Sequence, residues 1–89
     1  MKEKIIILNT DDYKTREEIF FHIEEELGFS HASIRNLDSL RDCLSEVFYS
    51  VIFIIISKQN NTLSDPILNV CNALELISKE NNYIKVVIN

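Results

Sequence analysis

Six consecutive residues, Val51 to Ile56, are β-branched or aromatic. The run is far below the roughly 20 apolar residues that span a bilayer. It reads instead as the centre of a strong strand over Tyr49 to Ser57. Lys4 to Asn9 is a second apolar run without alternation, which predicts a strand covered at least largely on both faces. Tyr83 to Ile88 forms a third. The expected strand contribution to the core is Ile5, Ile7, Ile54, Ile56 and Val86.

Helical spacing fills the gaps between these strands. Thr15-Arg-Glu-Glu18 reads as a capping box, with the Thr15 hydroxyl on the third helical amide and Glu18 reaching back. Ile19, Phe20, Ile23 and Leu27 then form one stripe, leaving Glu17, Glu24 and Glu25 outside it. Gly28, the only glycine, stands where a left-handed residue ends a helix. After a loop from Phe29 to Arg35, Asn36 caps a second helix expected from Leu37 to about Phe48. Its apolar stripe is Leu37, Leu40, Leu44 and Val47, which seats it on the sheet. Lys58 to Thr62 is a polar loop, and Ser64-Asp65-Pro66 starts a third helix with Asp65 as its cap. Ile67, Val70, Cys71, Leu74 and Ile77 make its buried face, and Asn81-Asn82 ends it.

The order is therefore β-α-α-β-α-β. Each strand-to-strand connection exceeds a dozen residues and contains helix, as a crossover between parallel strands requires. The expected fold is α/β: one domain over residues 1–89, with a small three-stranded parallel sheet and three to four helices. At 89 residues and 46% hydrophobic the chain can build a core without staples. Cys43 and Cys71 have no metal-ligand spacing around them and read as small core residues in a reducing compartment. A basic start without a long apolar region or a cleavage site points to the cytoplasm.

Charge narrows the partners. Between Asp11 and Glu46 stand ten acids and four bases, so the net −5 of the chain sits in its first half. Phosphate binding needs a basic surface, which argues against nucleic acid, and nothing suggests a membrane. An electropositive partner is the complement. Residue chemistry offers no enzyme: one glycine rules out phosphate loops, and Cys43 lies mid-helix beside an apolar stripe, where a thiol is inert. Asp11-Asp12 after the first strand invites comparison with the metal site of receiver domains. The central strand, however, ends Ile54-Ile55-Ile56-Ser57 without the aspartate such a site needs. No metal or cofactor is expected.

The second helix carries Asp38, Asp42 and Ser45 at i, i+4 and i+7, with Arg41 and Glu46 beside them. On helix physics alone these are solvated surface groups. Yet Asn36-Leu37-Asp38-Ser39-Leu40-Arg41-Asp42-Cys43-Leu44 resembles the N-L-D-A-L-W-D-C-L segment of the barstar family of intracellular ribonuclease inhibitors, with seven of nine positions the same. The element order, the length and the ending Ile-Lys-Val-Val-Ile-Asn are also similar to that family.

The resemblance implies a barstar-like fold whose second helix and preceding loop plug the cationic active site of a ribonuclease. Asp42 would take the substrate-phosphate pocket. The implied partner-binding set is Asp38, Asp42 and Ser45, the last in place of a threonine. Arg41 and Glu46 flank them, and Ile34 and Arg35 lie in the loop. The family's loop tyrosines and glycine are replaced by His31-Ala32-Ser33-Ile34-Arg35, its tryptophan by Arg41, and a glycine-tryptophan pair by Glu46-Val47. The expected molecule is a monomeric, non-enzymatic, cytoplasmic inhibitor of a basic-site ribonuclease, barnase-like or other. An interaction or regulatory domain without a nuclease target, or a degenerate receiver-like domain, are the other readings.

Overall fold

The computed structural model describes residues 3–56 and 65–89. The polar loop at 58–62, together with Ser57 and Ser64, falls outside the described residues. Strands β1 (Glu3–Asn9), β2 (Ser50–Ile56) and β3 (Ile84–Ile88) form one sheet in the order β1-β2-β3. Both pairings are parallel, with Ile6 level with Phe53 and Phe53 level with Val86. Helices α1 (Arg16–Leu27), α2 (Leu37–Ser45) and α3 (Asp65–Glu80) complete the order β-α-α-β-α-β, and Thr10–Asp12 adds a single 3-10 turn. No helix among the described residues is long and apolar enough to cross a membrane.

The local signals act as their chemistry requires. Thr15 Oγ1 accepts from the Glu18 amide at 3.4 Å, while the Glu18 carboxylate accepts from the Thr15 and Lys14 amides at 3.0 and 2.7 Å. These two backbone bonds, the Lys14 one first, hold the Glu18 carboxyl below its ordinary range. Gly28 takes a φ of 75° and returns its amide to the Glu24 carbonyl, a conformation that costs a residue with a Cβ roughly 1–2 kcal/mol.

Strand burial departs from the sequence expectation in coverage and in parity: β1 is fully covered on one face only, and the face turned inward is not the expected one. Ile6 and Leu8 of β1, Val51, Phe53 and Ile55 of β2, and Ile84 of β3 are buried. Ile5 and Ile7 are half exposed, and Ile54 and Ile56 share their face, partly covered. Of the residues expected in the core, Val86 does pack against it. The reason for the difference is topological. Successive right-handed crossovers that always step the same way across a sheet place every helix on one face. An unbroken apolar run is alike in both parities, so it cannot show which parity turns inward.

Ile19, Phe20 and Ile23 of α1, Leu40 and Leu44 of α2, and Ile67, Val70, Cys71, Leu74 and Ile77 of α3 complete the core. α2 rests chiefly against α3 rather than directly on the sheet, so the expected seating of Leu37, Leu40 and Leu44 on the strands is indirect. It is also shorter than its apolar spacing suggests. It stops at Ser45, with Glu46 as the C-cap and the Val47 amide turned back to the Leu44 carbonyl at 3.2 Å.

Asn81 explains the stop. Its Nδ2 donates to the carbonyls of Leu44 and Val47 at 3.0 and 3.1 Å, while its Oδ1 accepts from the Tyr83 amide at 2.9 Å. One side chain thus satisfies the orphan end of α2 and shapes the turn into β3. Asn81→Ala should cost about 1–3 kcal/mol by leaving these groups unpaired. Asn81→Asp should cost at least as much, because a carboxylate cannot donate to two carbonyls. Urea unfolding of the three proteins, compared by midpoint at constant m, checks this.

Candidate functional site

The surface around α2 is built on a rigid base. Leu40 and Leu44 are fully buried, which turns the opposite side of the helix outward. Asn36 Oδ1 accepts from the Ser39 amide at 2.8 Å. Ser39 Oγ in turn accepts from the amides of Asn36 and Arg35 at 2.9 and 2.7 Å. The cap is reciprocal, with serine in the place usually taken by glutamate.

The preceding loop is held from α1. Glu24 is only 3% exposed, and its Oε2 accepts from the Ile34 amide at 2.8 Å. Helical spacing alone puts Glu24 outside the apolar stripe, whereas the structure turns it inward. Its position four residues after Phe20, on the margin of the buried stripe, is the signal that it turns inward. Ile34 also differs from its expected role. It is 4% exposed and belongs to the core, so its side chain is not offered to a partner. Between these anchors Ala32 adopts a φ of 65°, a left-handed conformation unusual for a residue with a Cβ.

The remaining expected residues lie on the surface. Asp38, Asp42, Ser45, Glu46, Arg35 and Arg41 are all exposed. Arg41 forms an ion pair with Glu80 of α3, and Arg35 Nε donates to the Ala32 carbonyl at 3.1 Å. Both arginines of this region therefore have acceptors within the chain. Asp38, Asp42 and Glu46 form no ion pair among the described residues, so the outer side of α2 is a patch of uncompensated negative charge. Ser45 donates its hydroxyl to the Asp42 carbonyl at 2.7 Å.

Two aromatic residues outside the expected partner-binding set border this patch. Phe48 is 75% exposed and meets the half-exposed Tyr83 edge-on, with centroids 6.5 Å apart. They stand beside the end of α2 because Asn81 stops the helix before Phe48. Along the other side, Leu37, Asp38, Arg41, Ala73, Leu76 and Glu80 line an open groove between α2 and α3.

Cys43 is partly buried against the core behind the acidic patch, and Cys71 is buried in α3. Cys43 Sγ approaches the Ser33 carbonyl at 3.7 Å. Its pKa is raised, first by burial and then by the nearby Glu46, Asp42 and Glu24 carboxylates. Cys71 is buried and also raised, by burial and then by Glu75. Among the described residues no group of three or more His, Cys, Asp or Glu side chains is gathered for a metal ion. Asp11 and Asp12 lie exposed in the 3-10 turn after β1. Comparison with protein-family models gives no match, and neither does comparison with curated proteins.

Two outcomes follow for this region. Glu24→Ala should destabilise the fold by about 1–3 kcal/mol by orphaning the buried Ile34 amide, and Glu24→Gln, which keeps an acceptor, should cost less. Thermal or urea unfolding separates them. Both cysteines should react slowly with a thiol reagent at neutral pH and quickly in denaturant, Cys71 being the slower. Native labelling should accelerate only as pH rises past the ordinary thiol range, because the raised pKa values keep both groups protonated.

Proposed function

We propose that this chain is a cytoplasmic protein inhibitor of a ribonuclease, inserting α2 and the loop before it into a cationic active site. The observation that carries the reading is Asp42, an exposed and unpaired carboxylate on the outward side of a helix held down by Leu40 and Leu44. A site that grips a scissile phosphate concentrates positive charge, and a carboxylate delivered there accepts charge-assisted hydrogen bonds from arginine or lysine. Asp38 and Glu46 extend the same field and would speed encounter with a basic target.

Preorganisation supports the reading as well. A surface already fixed by the Asn36–Ser39 cap and the Glu24–Ile34 bond loses little freedom on binding. Arg41, which stands where the barstar-like motif carries tryptophan, is drawn to Glu80 and so is partly neutralised toward a basic partner. The motif's loop aromatics are absent from this chain. Phe48 and Tyr83 are the aromatic residues beside α2 that can anchor a partner, since buried aromatics carry much of the energy of interfaces. They also support a second reading, an interaction module with the same acidic helix and a target other than a nuclease.

The test is to titrate barnase, and then ribonucleases secreted by the source cell, with the chain while following RNA hydrolysis. Asp42→Ala should weaken inhibition roughly 30-fold or more through faster dissociation, the effect of removing one partner from a buried charge pair. Glu25→Ala, an exposed acid of α1, should change little beyond the association rate. Folding stability should be almost unaffected by Asp42→Ala. Equal, small effects of the two substitutions on every ribonuclease bound would remove the mechanism. Binding without inhibition, sensitive to Phe48→Ala, would favour the second reading.

A further inference from the structure

All described helices pack on one face of the sheet, and the other face, which no described helix covers, is apolar. It presents Ile5 and Ile7 from β1, Ile52, Ile54 and Ile56 from β2, and Val87 from β3. Ile5, Ile7 and Val87 are 50%, 52% and 46% exposed. A contiguous apolar face of this kind on a small domain marks an interaction surface. Its few charges lie at opposite edges, Glu3 on β1 and Lys85 on β3. Lys85 forms no ion pair among the described residues, and Glu3 is met only by the Ser50 hydroxyl at 3.5 Å.

We propose that this face is a homodimer interface, in which two copies stack sheet to sheet about a two-fold axis parallel to the strands. That axis lays β1 of each copy over β3 of the other, with the two β2 strands facing each other along it. The register makes the match. Val87 is level with Ile54 and hence with Ile7, so Val87 of one copy meets Ile7 of the second. Lys85 is level with Ile52 and Ile5, only two residues along from Glu3. At about 3.3 Å per residue, a lysine and a glutamate span that offset between sheets stacked about 10 Å apart. Two symmetry-related Glu3–Lys85 pairs then flank an isoleucine centre. An axis across the strands would instead set β1 against β1 and leave both charges without opposite partners. This self-complementarity, required of a two-fold interface, is what selects a second copy over an unrelated partner.

The size of the face sets the strength. Three strands at about 4.8 Å spacing and roughly 20 Å of length give a footprint on the order of 300 Å², whereas stable complexes bury about 800 Å² per partner. The dimer is therefore weak and concentration-dependent, with a dissociation constant in the micromolar range or above. It departs from the monomer expected from sequence. It also leaves Asp38, Asp42 and Glu46 of α2 accessible, so it does not rest on the inhibitory reading.

Sedimentation equilibrium of the whole chain, from low micromolar to about 1 mM, should show the average mass rising from 10.4 kDa toward twice that value. Glu3→Lys and Lys85→Glu should each weaken association about 5–10-fold, and the double variant should restore it to within about 2-fold. The pair separates specific contact from bulk charge. With a net charge of −5, bulk repulsion alone would make Glu3→Lys associate more tightly and Lys85→Glu less. Ile7→Lys should abolish dimerisation with unchanged far-ultraviolet circular dichroism. Should that variant fail to fold, the charge exchange alone decides. A monomer over the whole range, or opposite effects of the two single reversals, overturns the proposal.

Discussion

The fold depends on the one-directional winding of a three-stranded parallel sheet. Because the strands lie in chain order and the crossovers share one hand, the helices gather on one face and the core is a single layer. Phe53, central in the central strand and fully buried, sits at the middle of that layer. Each apolar side chain buried so contributes roughly 1.5–3 kcal/mol relative to exposure. The same winding leaves the reverse of the sheet without a cover from the described helices, although its residues are almost as apolar. One topological fact thus supplies both the core and the open isoleucine face.

The acidic surface depends on the sheet only at second hand. α2 is a nine-residue helix, too short to be stable alone in water. It persists because Leu40 and Leu44 bury against the core, Asn36 caps its start and Asn81 takes its last carbonyls. With Glu24 fixing the loop at Ile34, the region is tied at three points by residues from α1, from the cap and from the turn into β3. The Asp42 carboxylate stands exposed on this platform, with its helix held in place by those ties.

Aromatic and charged groups around the patch show how a motif and its surroundings differ. The nine-residue segment from Asn36 to Leu44 carries Asp38, Asp42 and Cys43, with Arg41 between the two aspartates. The tertiary fold places Glu80 of α3 beside the Arg41 guanidinium. It also presents Phe48 and Tyr83 at the helix end. The acidic character of the surface is therefore a property of two helices and a turn, not of the motif alone.

Much of this was legible in the chain. The order of elements follows from apolar runs, helical spacing and caps, because each is a local consequence of backbone hydrogen bonding. Thr15–Glu18, Gly28 and Asn36 act as their residue types require. The exposed positions of Asp38, Asp42 and Ser45 also follow, since Leu40 and Leu44 fix which side of the helix turns inward. The inward turn of Ile34, the stop of α2 at Ser45 under Asn81, the Arg41–Glu80 pair and the parity of β1 and β2 needed the tertiary structure. Each joins residues ten or more positions apart or depends on the face a strand presents. A run of alternating identity would have revealed that face. Val-Ile-Phe-Ile-Ile-Ile offers the same chemistry to both sides, so only the side on which the helices wind could decide it.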